Sequence, residues 1–160
     1  MASPALHSLL ATLAASGAEL IVVGGLAAVA QGAPITTHDL DIVHRRTTDN
    51  IDRLLRVLAQ LDARYRGRAA GDVLRPTAEI LAGTGHSLLI TTLGPLDVLG
   101  AIEGGRDYDT LLPDSILIEI SGHPVRVLRL ETIVELQRAS THPKDQRMLP
   151  LLEAALARKP

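Results

Sequence analysis

The segment TTHDLDIV, residues 36–43, combines strand-forming residues with two carboxylates. Asp39 and Asp41 alternate with Leu40 and Ile42. In a β-strand, residues i and i+2 point to the same face and lie roughly 6.5–7 Å apart, so the two carboxylates would share one face. Neighbouring carboxylates repel each other unless a cation lies between them, and hard divalent ions such as Mg²⁺ prefer oxygen ligands. The pair therefore predicts a metal site, although a solvent-facing strand is the simpler interpretation of the pair alone.

A glycine pair precedes this segment. Gly24 and Gly25 follow the apolar run AELIVV, residues 18–23, and come before the Ala-rich run LAAVAQG, residues 26–32. Glycines between a strand and a helix let a phosphate approach backbone N–H groups, although they also suit a tight turn. The order strand, Gly-Gly, helix, loop, strand with Asp-x-Asp is more specific than either part. It predicts a phosphate-binding turn next to the metal-binding pair.

The hydrophobic pattern predicts helices and strands in mixed order. The predicted helices are 3–16, 26–32, 48–61, 130–139 and 143–158, and the predicted strands are 18–23, 38–43, 78–82, 86–93, 95–100, 115–120 and 124–130. The last two strands would form a hairpin around Ser121, Gly122 and His123. Pro150 indicates a late start or a kink in the last helix, because proline removes a helix hydrogen bond. We expect an α/β (α+β) protein with a small mixed β-sheet flanked by helices.

Length and composition limit the function classes. A chain of 160 residues favours one domain, here with a core at 18–100 and a C-terminal hairpin and helices at 113–158. No cysteine is present, which excludes disulfides and thiolate metal sites, and a net charge of -2 gives no global basic field for nucleic acid. No apolar run approaches the ~20 residues of a membrane span, and no secretory leader is apparent. We therefore expect a cytoplasmic protein with no membrane partner.

A longer stretch carries a family resemblance. The run VVGGLAAVAQGAPITTHDLDIV resembles the signature of nucleotidyltransferases of the DNA polymerase β superfamily. It is similar to the small bacterial members related to minimal nucleotidyltransferases and AbiEii-type toxins. That family carries a third carboxylate on a later strand, matched here by Asp97, and a Lys-Asp pair that opens its last helix, matched by Lys144 and Asp145. The resemblance covers residues 18–157 and is strongest over 18–43.

The resemblance implies a nucleotidyltransferase fold and Mg²⁺-dependent transfer of a nucleoside monophosphate from an NTP to a macromolecular acceptor, a protein or tRNA. It implies that Asp39, Asp41 and Asp97 are catalytic and hold two Mg²⁺ ions. The residues implied to contact the nucleotide are Gly24, Gly25, Thr36, Thr37 and Lys144. It also implies a place in a toxin–antitoxin or phage-defence system, with a cognate antitoxin or toxin as partner. Exposed strands in a small sheet would be compatible with a homodimer.

Two positions depart from the family pattern. Ile35 stands where many relatives have Arg, and Gln137 stands where relatives often have Lys. Each charged hydrogen bond is worth ~1.5–3 kcal/mol, so two lost cations would weaken triphosphate binding unless other basic residues compensate. These departures favour an alternative, a protein of this fold that binds a nucleotide or a partner without catalysis. Modification of a small molecule, such as antibiotic adenylylation, is a third hypothesis.

Two further features allow more than one interpretation. Arg64, Arg66 and Arg68 form a basic cluster after the third predicted helix, which could contact RNA phosphates or form a solvated loop. Asp97 follows Gly94 and Pro95, so it could cap a turn instead of providing the third carboxylate.

Overall fold

The computed structural model describes residues 2–160. The helices are α1 (Pro4–Ala15), α2 (Gly24–Ala30), α3 (Thr48–Gln60), α4 (Ala78–Leu81), α5 (Tyr108–Leu111), α6 (Leu130–Ala139) and α7 (Pro143–Arg158). The strands are β1 (Leu20–Val23), β2 (Leu40–His44), β3 (Arg64–Tyr65), β4 (His86–Thr91), β5 (Gly94–Leu99), β6 (Ser115–Ile120) and β7 (His123–Leu128). The predicted mixed α/β architecture is confirmed.

One seven-stranded mixed sheet runs in the order β3-β4-β5-β2-β1-β7-β6. Strand β2 lies at its centre, antiparallel to β1 and parallel to β5. Its register places Asp41 opposite Val23 of β1 and opposite Asp97 of β5. Directly opposite residues in adjacent strands project from the same face of a sheet. The pairing of β2 with β5 therefore brings two distant carboxylates together.

A buried asparagine fixes the far ends of β1 and β2. Asn50 of α3 is completely buried, and its Oδ1 accepts a hydrogen bond from the Glu19 backbone N at 2.6 Å. Its Nδ2 donates to the carbonyl oxygens of Glu19 and Arg45, both at 2.8 Å. Helix α3 begins there because Thr47 caps it, with the Thr47 side chain accepting from Asn50 N at 3.3 Å. These bonds hold β1 and β2 in register at the strand ends that lie away from Val23 and Asp41.

A half-buried glutamine ties α2 to the C-terminal helices. The Gln31 Nε2 donates to the carbonyl oxygens of Ala27 at 2.9 Å and Leu128 at 2.7 Å, and its Oε1 accepts from Leu130 N at 2.8 Å. These bonds connect the end of α2 with the end of β7 and the first residue of α6. Since α6 packs against both α2 and α7, the same contacts fix the position of the two C-terminal helices relative to α2.

Three local predictions need correction. The predicted strand 78–82 is the short helix α4, because Thr77 caps it by accepting from Ile80 N at 3.3 Å. The segment Arg64–Tyr65 is not a loop but the edge strand β3, paired with β4. Helix α2 begins at Gly24 itself, so the glycine pair forms its first turn instead of preceding it. Within residues 2–160, no helix is long and apolar enough to span a membrane.

Candidate active site

A single row of side chains crosses one face of the sheet and contains two of the carboxylates. In register order it consists of Leu88 on β4, Asp97 on β5, Asp41 on β2 and Val23 on β1. Arg66, directly after β3, joins the outer end of the row, where its backbone N donates to the Leu88 carbonyl oxygen at 3.1 Å. The placement of Asp97 within β5 excludes the interpretation of Asp97 as a turn cap. The two acids are neighbours although they lie far apart in the chain.

The glycine pair lets α2 begin directly against the acids. Gly24 has a φ of +69°, and a Cβ atom there would lie 2.5 Å from the Asp41 Oδ2. A Cβ atom on Gly25 would lie 2.9 Å from the Thr37 Oγ1, which itself donates to the Asp39 carbonyl oxygen at 3.3 Å. The glycines are therefore required by contacts within the protein. The same lack of side chains leaves the first turn of α2 open to the cavity described next.

A cavity of about 320 Å³ lies over the start of α2. The residues predicted to form the site that line it are Gly24, Gly25, Thr36, Thr37, Asp39, Asp41 and Lys144. Its opposite wall comes from α6 and α7, which contribute Ile133, Gln137, Asp145, Met148 and Leu152. Ile35, at the position where many relatives have Arg, also lines the cavity and is buried. Of the predicted site residues, Asp97 alone is outside this lining, and it lies beside Asp41 in the sheet.

A second cavity, of about 220 Å³, borders the same Gly24 and Asp41. Its apolar lining is Val23, Leu99, Ile102, Leu128, Ile133 and Leu136, and its further polar lining is His86, Glu103, Gln137 and Asp145. The Gln137 Oε1 is buried and has no hydrogen-bond partner within residues 2–160. Since Gln137 and Asp41 line both cavities, a ligand spanning them would contact both side chains.

Asp41 is held in an environment that disfavours its charge. Burial, the negative charge of Asp97 and a hydrogen bond with the Asp97 side chain raise the pKa of Asp41 to about 7, and Asp39 adds to this rise. The positive charge of Lys144 acts in the opposite direction. The Asp41 Oδ1 is buried and accepts no hydrogen bond from any residue in 2–160. A buried carboxylate oxygen without a partner, next to two other acids, fits a hard divalent cation.

Asp97 is paired with a cation of the protein. The Arg66 Nη1 lies 2.7 Å from the Asp97 Oδ1, and the same nitrogen donates to the Leu89 carbonyl oxygen at 2.8 Å. Arg66 and Asp97 form an ion pair but no hydrogen bond, because the N–H groups of Arg66 are not suitably oriented towards the Asp97 Oδ1. In the described chain, residues 2–160, no three His, Cys, Asp or Glu side chains converge to hold a metal ion. Asp39 and Asp41 thus share a cavity, while Asp97 faces Arg66.

The role of Arg66 was not predicted from the sequence. Its residue type and its neighbours Arg64 and Arg68 indicated only a basic cluster. The alternation Arg64-Tyr65-Arg66 was the available signal, because alternate residues in a strand share a face. The pairing that brings this face beside Asp97 is set by the register of β3 on β4 and of β4 on β5.

Comparisons with solved structures identify the fold. A Thermotoga maritima protein, provisionally assigned as a nucleotidyltransferase, matches with a TM-score of 0.59 and 18% identity over 99% of this chain and 94% of its own. The lincosamide antibiotic adenylyltransferase LnuA matches with a TM-score of 0.61 and 12% identity over 94% of this chain and 96% of its own. The antibiotic-resistance factor ANT(2'')-Ia matches with a TM-score of 0.56 and 19% identity over 97% of this chain and 84% of its own. The sequence matches no protein-family model and no curated protein.

The protein therefore has the nucleotidyltransferase fold, as the sequence resemblance predicted. The structural match extends over nearly the whole chain, and two of these three structures are named for antibiotic modification or resistance. The fold is shared with nucleotide-transferring enzymes, while the acceptor and the biological system follow from none of these matches.

The raised pKa of Asp41 predicts a pH-dependent stability effect. Because the folded-state pKa of about 7 exceeds the ordinary 3.8, folding favours the protonated form, and this stabilisation is lost as the pH rises from about 4 through 7. We expect Asp41→Asn to raise the free energy of unfolding at pH 8 by on the order of a few kcal/mol. The excess should shrink towards zero near pH 4. Denaturant unfolding at several pH values measures it, with the exposed Asp52→Asn as control. Equal excesses at pH 5 and pH 8 would contradict the assigned environment.

The contact between Gly24 and Asp41 predicts a stability difference between two glycine positions. Gly17 has a φ of +77° with nothing within 4 Å of where a Cβ atom would lie, whereas Gly24 has a similar φ and the Asp41 carboxylate in the way. We expect Gly17→Ala to cost about 1–2 kcal/mol for left-handed backbone alone. Gly24→Ala should cost clearly more, and the excess should disappear when Asp41→Ala is added. An excess that persists in the double variant would show that another contact is responsible. Chemical denaturation of each variant supplies the values.

Proposed function

We propose that the protein transfers a nucleoside monophosphate from an NTP to a hydroxyl group of an acceptor, with Mg²⁺ as cofactor. The observation that carries the proposal is the buried Asp41 Oδ1, which has no hydrogen-bond partner among residues 2–160. Asp41 lines the same cavity as Asp39 and the first turn of α2. Burial of Asp41 next to Asp97 and Asp39 disfavours its charged form, and a cation bound at Asp41 would offset that cost. The nucleotidyltransferase fold supports the same chemistry by likeness.

In the proposed site, Asp39 and Asp41 hold the metal ion through their carboxylate oxygens. Mg²⁺ bound there would neutralise charge on the triphosphate and on the departing pyrophosphate. Gly24, Gly25 and the Thr36–Thr37 pair would lie along the triphosphate because they line the same cavity. Lys144 would supply a positive charge on the α7 side, where it already interacts favourably with the ionised form of Asp41.

Transfer requires the acceptor hydroxyl to lose a proton as its oxygen bonds to the α-phosphorus and the bond to pyrophosphate breaks. We assign Asp97 as the residue that accepts this proton. Asp97 lies beside Asp41 and outside the lining of the cavity of about 320 Å³. The second Mg²⁺ ion predicted at Asp97 from the resemblance remains a prediction. In the structure Asp97 already has Arg66 as a cationic partner.

The proposed acceptor is a macromolecule, a protein or tRNA, in a toxin–antitoxin or phage-defence pair; this part rests on the sequence resemblance. A small hydroxylated molecule is a second candidate acceptor. It is favoured by the second cavity, whose volume of about 220 Å³ and mostly apolar lining suit a compact ligand next to Asp41. LnuA and ANT(2'')-Ia support the same candidate by likeness of fold.

Transfer of radioactive label tests the proposal. Each NTP labelled at the α-phosphate would be incubated with Mg²⁺ and wild-type protein, in the presence of bacterial tRNA, lysate protein or a pool of small hydroxylated molecules. We expect label in one acceptor class, and its loss by a factor of at least about 10³ with Asp39→Asn plus Asp41→Asn, since such acids position and stabilise the transferring group. Asp52→Asn, on the exposed face of α3, is the matched control.

The outcomes separate the hypotheses. Label in tRNA or protein supports the macromolecular acceptor, and label in the small-molecule pool supports the second candidate. Label that survives the double substitution contradicts the assignment of the site. Absence of label with all acceptors, together with calorimetric binding of Mg·ATP, favours the alternative of a nucleotide-binding protein without catalysis, to which the departures at Ile35 and Gln137 pointed.

A further inference from the structure

Arg66 places a cation in direct contact with one of the three acids. Its Nη1 lies 2.7 Å from the Asp97 Oδ1, at the end of the carboxylate row that is opposite to the glycine turn. Its side chain is 32% exposed and that of Asp97 is 17% exposed, so solvent screens this pair less than it screens an ordinary surface pair.

The guanidinium group is fixed in place by the backbone of β4. The Arg66 backbone N donates to the Leu88 carbonyl oxygen, and its Nη1 donates to the Leu89 carbonyl oxygen at 2.8 Å. Leu88 lies opposite Asp97 in the register, so the anchored side chain reaches along β4 to the acid. The cation is therefore built into the sheet edge and does not depend on a mobile surface side chain.

The distribution of charge matters for metal binding. Asp39 and Asp41 line the cavity of about 320 Å³ together, whereas the Asp97 oxygen that faces Arg66 already has a cationic partner. Residues 2–160 contain no convergent set of three metal-ligating side chains. A second divalent ion at Asp97 would have to displace the guanidinium group or lie next to it, and two cations so close repel each other.

We propose that Arg66 takes the place of a second divalent ion at Asp97, so that the protein binds one divalent ion, at Asp39 and Asp41. This inference rests on the proposed function, because it presupposes that those two acids hold a metal ion. Arg66 is then a positioning residue that keeps the Asp97 carboxylate oriented beside Asp41. An arginine cannot coordinate an oxygen as a metal does, but it supplies a fixed positive charge and several N–H donors.

The number of Mn²⁺ ions bound per chain tests the proposal without any substrate. Mn²⁺ alone would be titrated into the protein, and the free ion followed by electron paramagnetic resonance. We expect one bound ion for the wild type and two for Arg66→Ala, because removal of the guanidinium group leaves Asp97 beside Asp41 without a cation. Addition of Asp97→Asn to Arg66→Ala should return the number to one.

Two variants control for structural damage. Arg64→Ala removes an exposed arginine of β3, two residues before Arg66, and it should keep one ion. Arg66→Gln removes the charge but retains an N–H donor for the Leu89 carbonyl oxygen, and it should bind two ions even if the alanine variant folds poorly. Circular dichroism would verify the fold of each variant.

The failure of this inference is distinguishable from the failure of the proposed function. Two ions on the wild type, reduced to one by Asp97→Asn, would overturn the role of Arg66 and leave the proposed metal chemistry intact. One ion on a folded Arg66→Gln variant would also overturn it. Absence of a bound Mn²⁺ ion on the wild type would contradict the metal site itself and with it the proposed function. So would one Mn²⁺ ion that still binds the double variant Asp39→Asn plus Asp41→Asn.

Discussion

The repulsion between Asp41 and its neighbouring acids is the constraint on which the site depends. Asp41 lies beside Asp97 in adjacent strands, near Asp39, and against the first turn of α2. Burial and this crowding raise its pKa to about 7, which means that ionisation at neutral pH costs free energy. A protein can tolerate such a cost where a bound cation removes it, and functional sites are where strongly perturbed pKa values concentrate.

The rest of the structure fixes the acids in that unfavourable arrangement. Asn50 fixes β1 and β2 from behind, Gln31 fixes α2 to the C-terminal helices, and the glycines allow α2 to begin without displacing the Asp41 carboxylate. Arg66 forms an ion pair with Asp97, and Asp39 and Asp41 line the cavity. The site is thus preorganised: the strands supply the acids, and α6 and α7 supply the opposite wall.

Local sequence predicted the parts of the site that lie close together in the chain. The alternation of Asp39 and Asp41 with aliphatic residues, and the glycine pair after an apolar run, depend on short-range geometry that a sequence displays directly. The exact bounds do not, since α2 begins at Gly24 and β2 begins at Leu40. Asp97 could be assigned only through a family resemblance, because its contact with Asp41 arises from the pairing of distant strands. The position of Arg66 is not predictable from the sequence, because the edge strand before it has two residues and no hydrophobic pattern. The strand predicted at 78–82 is the helix α4 instead, because the Thr77 cap stabilises a helical turn more than the apolar character of this short segment favours a strand.

The titration of the Asp41 side chain is the measurement that tests the proposed cation site most directly. Carboxyl-carbon NMR of the wild type, with Asp41→Asn used to assign the resonance, would follow its ionisation with and without Mg²⁺. We expect a midpoint near pH 7 without the ion and a clearly lower midpoint with it, because a bound cation stabilises the carboxylate. A midpoint that Mg²⁺ does not move, or one at the ordinary value for aspartate, would contradict the claim that the acids form a cation site.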